Sequence, residues 1–196
     1  MGGMVLNSKD RLFIIFSILL IILIPYFTKK PIVSADSLDE EKFLTCDEIY
    51  NKIFDDNNSI KNNKNIISKN NLKNGNDFSY LKITRGIDLT LIYKPKIIFY
   101  IEMNNKNNTI NRVLDVSLDT NYNGINKDFS GNIFYNVEND KTIYYYINGD
   151  FYNAEKNNKV ANSTKTKKGS NIYYRTYGKN HYKYIELDNF IHINSK

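Results

Sequence analysis

The stretch Lys141 to Lys159, KTIYYYINGDFYNAEKNNK, decides how the chain is read. Side chains alternate along a strand, so Ile143, Tyr145 and Ile147 point to one face and Tyr144, Tyr146 and Asn148 to the other. Both faces are substantially apolar, so the strand is either covered on both sides or lines a cavity on one. Asn148-Gly149 is the strongest hairpin signal in the chain, with Phe151 and Tyr152 beginning the return strand. Almost nothing in the stretch does covalent chemistry, and its tyrosines suit a pleated, half-buried surface.

The same period of two extends outward from this stretch. Beyond Asp77 it predicts strands over Phe78 to Thr84, Asp88 to Tyr93, Ile97 to Met103, Arg112 to Leu118 and Gly131 to Val137. Past the opening stretch it predicts strands over Ile172 to Tyr177, Tyr182 to Leu187 and Phe190 to Ile193. Turn chemistry separates them at Arg85-Gly86, Lys94-Pro95, Gly178-Lys179 and Asp188-Asn189. Connections this short leave little room for crossover helices, which predicts an antiparallel meander.

Before the strands, residues 36–56 carry a helical pattern. Leu44, Ile49, Ile53 and Phe54, with Cys46 and Tyr50, recur at spacings of three and four and make one apolar face. Two capping boxes compete for its start, Ser37 with Glu40 and Thr45 with Glu48. The second lies closer to the apolar face, so residues 37–44 read as a separate short turn of helix or spacer. The polar run that follows is either a linker or a weak strand near Asn65 to Lys69.

An apolar run from Leu12 to Phe27, preceded by Lys9 and Arg11, sets the expected compartment. Sixteen residues rise roughly 24 Å, short of a hydrocarbon core of about 30 Å, which fits a signal-peptide core or a short signal anchor. Val33-Ser34-Ala35 offers small residues to a signal peptidase. The expected organisation is therefore a signal peptide or anchor over 1–35 and one exported domain over 36–196. The membrane is a partner through Leu12 to Phe27, and the domain lies outside the cytoplasmic membrane or is secreted after cleavage at Ala35. The first 35 residues hold half of the formal +6 charge, and the remainder is no nucleic-acid footprint.

Candidate chemistry is sparse. A single cysteine, Cys46, excludes an internal disulfide and reads as a small buried apolar residue. Asp119, Asn121, Asn123 and Gly124 have the spacing of half a calcium loop, but Ser130 stands where a bidentate Glu belongs, so the segment reads as a turn. His181 and His192 have no obvious nucleophile beside them, and there is no glycine-rich phosphate loop. The lysines from Lys156 to Lys168 read as a solvated loop or an anion-attracting run. The expectation is a non-catalytic protein with no cofactor and no metal.

The helix TCDEIYNKIFDDNNSIKN ahead of a long meander, with IYKPKIIFYIEM and TIYYYINGDFYNAEKNNKV, resembles the LolA-like superfamily of lipoprotein carriers and related surface and spore-germination lipoproteins. The resemblance implies an α+β fold, mainly β, in which a curved half-barrel sheet wraps an N-terminal helix. The space between them would hold a lipid or a lipidated partner, lined here by Ile49, Ile53, Phe54, Tyr145 and Tyr152. The expected function is an envelope-exposed module binding an apolar ligand in that cavity. The alternative is a protein-interaction subunit of an envelope or germination complex, its sheet fully packed and Tyr173, Tyr174 and Tyr177 displayed to a partner.

Overall fold

The computed structural model describes residues 38–56, 72, 77–154, 160–165, 169–175 and 180–193. The elements are β1 (Leu38–Leu44), α1 (Cys46–Asp56), β2 (Phe78–Gly86), β3 (Lys96–Asn104), β4 (Thr109–Asp119), β5 (Asn121–Tyr122) and β6 (Ile125–Asn139), then β7 (Thr142–Asn153), β8 (Val160–Lys165), β9 (Gly169–Arg175) and β10 (His181–His192). Every strand pairing is antiparallel. The described fold is thus mostly β with one short helix, as the alternation predicts.

One curved sheet around a helix is not what the strands build. They form a four-stranded sheet in the order β1-β2-β3-β4 and a second sheet in the order β10-β7-β6-β9-β8, with β5 on β6. The first is a meander. The second carries two hairpins, and β10 returns to the far edge of β7. The sheets face each other through one core of Leu81, Ile83, Phe99 and Ile101 from the first and Ile133, Tyr135, Tyr145, Ile147 and Ile185 from the second. The Phe99 ring lies 5.4 Å from that of Tyr145 and 6.2 Å from that of Tyr135.

Helix α1 lies on the other face of the first sheet. Ile49 and Ile53 pack with Leu44, Leu72, Tyr80, Tyr100 and Leu114 in a separate cluster. Tyr80 and Leu81 are consecutive yet belong to opposite clusters, as the pleat requires. The helix therefore caps the sandwich from outside. Its start uses the second capping box: Glu48 N donates to Thr45 Oγ1 at 3.2 Å, and Thr45 N donates to Glu48 Oε2 at 2.8 Å. Those bonds hold the Glu48 carboxyl below the usual carboxylate range.

Beside this cluster Glu102 is fully buried. Arg112 grips it with Nη2 at 2.8 Å and Nε at 3.1 Å, and the Tyr80 hydroxyl lies 3.5 Å away. Burial, then the Glu102 charge, pushes the Tyr80 hydroxyl up to about 12.

Residues 37–44 are read from sequence as helix or spacer, yet Leu38–Leu44 is a strand. Its pairing along β2 places Glu40 3.4 Å from Lys82 and Glu41 2.8 Å from Arg85, so tertiary pairing overrides the local helical spacing. Residues 88–93, read as a strand, form a loop. The run 160–165, read as solvated loop, pairs along β9. The weak strand at 65–69 and the apolar run 12–27 lie outside the described residues. Among those described, no helix is long and apolar enough to cross a membrane.

Asn148-Gly149 is not a turn. It lies inside β7, where Gly149 sits directly opposite Gly131 of β6. A Cβ on Gly149 would stand 2.5 Å from the Ser130 carbonyl oxygen and 2.8 Å from the Phe129 ring, so the glycine is required by closeness and not by turning. The Phe129 ring fills the space that two missing side chains leave, a recognised way of supporting glycine in a sheet. Among the described residues, the Asn-Gly pair that turns is Asn123-Gly124, with φ of 51° and 77°, joining β5 to β6. We predict that Gly149→Val destabilises the domain by about 2 to 3 kcal/mol in urea unfolding. An unchanged midpoint would contradict the close approach.

Candidate interaction face

The second sheet has its inner face in the core and its outer face turned away from it. Register places Phe190 opposite Tyr144, Phe134 opposite Tyr146, and Asn148 opposite both Glu186 and Asn132 on the outer face. Alternation with Ile143, Tyr145 and Ile147, which are buried, forces these residues outward.

A band of rings crosses three strands of that face. His192 stacks on Phe190 with ring centroids 6.2 Å apart and planes 11° from parallel. Phe190 meets Tyr144 at 5.2 Å, and Tyr144 meets Phe134 at 6.2 Å. Phe134 and Phe190 are exposed. Burial raises the Tyr144 hydroxyl above the usual tyrosine value, and the negative charges of Asp188 and Glu138 push it the same way. Asp188 lies opposite Tyr146 by register, two residues from Phe190, and Glu138 is exposed near the end of β6, so carboxylates border the band.

A closed hydrogen-bonded ring adjoins it. The Tyr146 and Tyr184 hydroxyls each donate to Glu186 at 3.2 Å, and Asn148 Nδ2 donates to both hydroxyls, at 2.7 and 3.2 Å. Each side chain in the ring is half-buried, and the bonds fix the rotamers that a docking surface needs. Further along, Asn171 Nδ2 donates to the Tyr173 hydroxyl at 2.7 Å.

The five residues expected to line one cavity are not brought together. Ile49 and Ile53 sit under the helix, and Tyr145 sits in the core between the sheets. Tyr152 is on the outer face beside His181, ring centroids 5.7 Å apart. Phe54 belongs to α1, and its side chain lies outside the described residues. Tyr173 is exposed as the alternative reading expected, but Tyr174 points inward against Phe129 and Tyr177 is outside the described residues.

Asp119 Oδ1 accepts from the Asn121 backbone N–H at 2.9 Å, so this carboxylate is used in its own turn. Among the described residues no group of three His, Cys, Asp or Glu converges to hold a metal ion. His181 Nε2 lies 2.9 Å from Asp150 Oδ1 on the surface, and His192 Nδ1 lies 3.2 Å from Thr142 Oγ1. Cys46 is a half-buried thiol, in no disulfide, at the first turn of α1. No protein-family model, curated protein or solved structure matches this chain.

The outward tyrosines were readable from alternation, whereas Phe134 and Phe190 join them only through strand register. Because the band is exposed, Phe134→Ser and Phe190→Ser should each change stability by less than about 1 kcal/mol. Thermal melting checks this, and a loss of core size would make the band a structural feature.

Proposed function

We propose that the chain is a non-catalytic, envelope-exposed interaction module, tethered to a membrane through residues 12–27. Its partner is a protein surface that brings apolar and basic side chains to the outer face of the second sheet. The observation that carries this is the exposed ring band from His192 to Phe134, bordered by Asp188 and Glu138. Aromatic residues are enriched in protein interfaces, and a rim of one charge steers a partner of the other.

The second reading is the LolA-like lipid carrier. A helix packed on an antiparallel sheet supports it. Against it stands the distribution of Ile49, Ile53 and Tyr145 between two separate clusters on opposite sides of the first sheet.

A photo-reactive residue in place of Phe134, in cells of the source, tests the proposal against the same residue in place of Asn107, in the β3–β4 turn of the first sheet. The expected result is one protein adduct from position 134, absent from position 107 and lost in Asp188→Lys. An adduct with phospholipid, or one indifferent to Asp188→Lys, contradicts it.

A further inference from the structure

The loop between β2 and β3 breaks the usual chemistry of turns. Thr90 N donates to the Tyr93 carbonyl at 3.1 Å and Tyr93 N donates to Thr90 Oγ1 at 3.1 Å, leaving Leu91 and Ile92 as the two central residues. Such positions are normally Gly, Asn, Asp, Pro or Ser. In a chain rich in asparagine, two aliphatic residues hold them instead. Leu91 is 98% exposed and Ile92 70% exposed.

The display is braced from below. Ile87, Leu89 and Tyr93 are buried in the main core. Ile87 N donates to the Pro95 carbonyl at 2.8 Å, and Lys94 pairs with Asp88 at 2.7 Å. The Tyr93 hydroxyl donates to the Thr120 carbonyl at 2.8 Å, and Thr90 Oγ1 lies 3.3 Å from the Tyr182 hydroxyl. A single exposed apolar residue is ordinary, but two adjacent ones on a braced tip resemble an interaction surface.

Strand register indicates what the tip meets. Leu38, the first described residue, pairs with Arg85, one residue before the end of β2 and the start of this loop. The chain preceding Leu38 therefore joins the sandwich at the end that carries Leu91 and Ile92. Ten residues separate Phe27 from Leu38, and fully extended they reach no more than roughly 35 Å. Lys94 and Asp88 neutralise each other beside the tip, so the basic groups near it are Lys96, which follows it, and Lys127, whose Nζ lies 4.1 Å over the Tyr182 ring at its base. Basic side chains beside apolar ones favour anionic headgroups above an acyl boundary.

We infer that Leu91 and Ile92 form a membrane-docking tip, which inserts into the headgroup region of an anionic bilayer and sets the orientation of the domain on it. The inference rests on the tether proposed above. A tether with a second, weaker contact holds an orientation that a tether alone leaves free.

The test uses the full chain with Cys46→Ala, reconstituted in phosphatidylcholine and phosphatidylglycerol vesicles. An environment-sensitive fluorophore is attached at Leu91→Cys, or at Asn107→Cys as the distal control. Flotation reports the tether, and quenching by headgroup-region spin-labelled lipid reports the tip. The expected result is flotation of both proteins, quenching at position 91 only, and a fall to the control level when Ile92→Asp is added. Because Ile92 is exposed, the melting temperature should not change. Flotation with a water-exposed label at 91 overturns the tip and leaves the tether standing, whereas a chain that does not float overturns both. A label shielded only by added membrane protein, and not by lipid, assigns the tip to a protein partner and also overturns the inference.

Discussion

The architecture depends on the first sheet being apolar on both faces. Tyr80, Tyr100 and Leu114 point to the helix, while Leu81, Phe99 and Ile101 point to the second sheet. A sheet with one apolar face is satisfied by one covering layer, but this one needs two. Helix α1 supplies the smaller layer and β6, β7, β9 and β10 the larger. The second sheet, covered on one side only among the described residues, is left with an outer face that alternates rings, amides and carboxylates. That residual face is where the proposed recognition would act.

Polar groups are managed accordingly. Glu102 is buried beside the helix-side cluster, where a charge without a partner would cost several kcal/mol, and Arg112 answers it with two bonds. On the outer face of the second sheet, Glu186 is held by the Tyr146 and Tyr184 hydroxyls. The first arrangement seals a cluster within the fold. The second stiffens a surface.

Alternation and capping were legible in the residues, and partnering was not. The Thr45 and Glu48 box marked the helix start, and Ile143, Tyr145 and Ile147 marked an inward face. A period of two does not say which sheet a strand joins, so the division into two sheets and the placement of the helix outside them were invisible. Asn148-Gly149 misled because the hairpin rule reads Asn-Gly as a source of positive φ. The structure uses Gly149 to let two backbones approach over Gly131. Loop 87–95 misled in the opposite sense, since Ile87, Leu89 and Tyr93 alternate like a strand while bracing a turn. The expected cavity failed for the same reason: Ile49 and Tyr145 each read correctly as apolar and buried, but on different sides of one sheet.

The central claim is that the apolar side chains expected to line one cavity are divided between two separate clusters, so that the proposed recognition takes place on the surface. Native mass spectrometry of the full-length protein, taken intact from its source membrane, tests this most directly. The account predicts a protein without stoichiometric lipid in its interior, accompanied by a protein partner. A stoichiometric acyl lipid that persists after detergent removal and leaves when the fold is opened would contradict it.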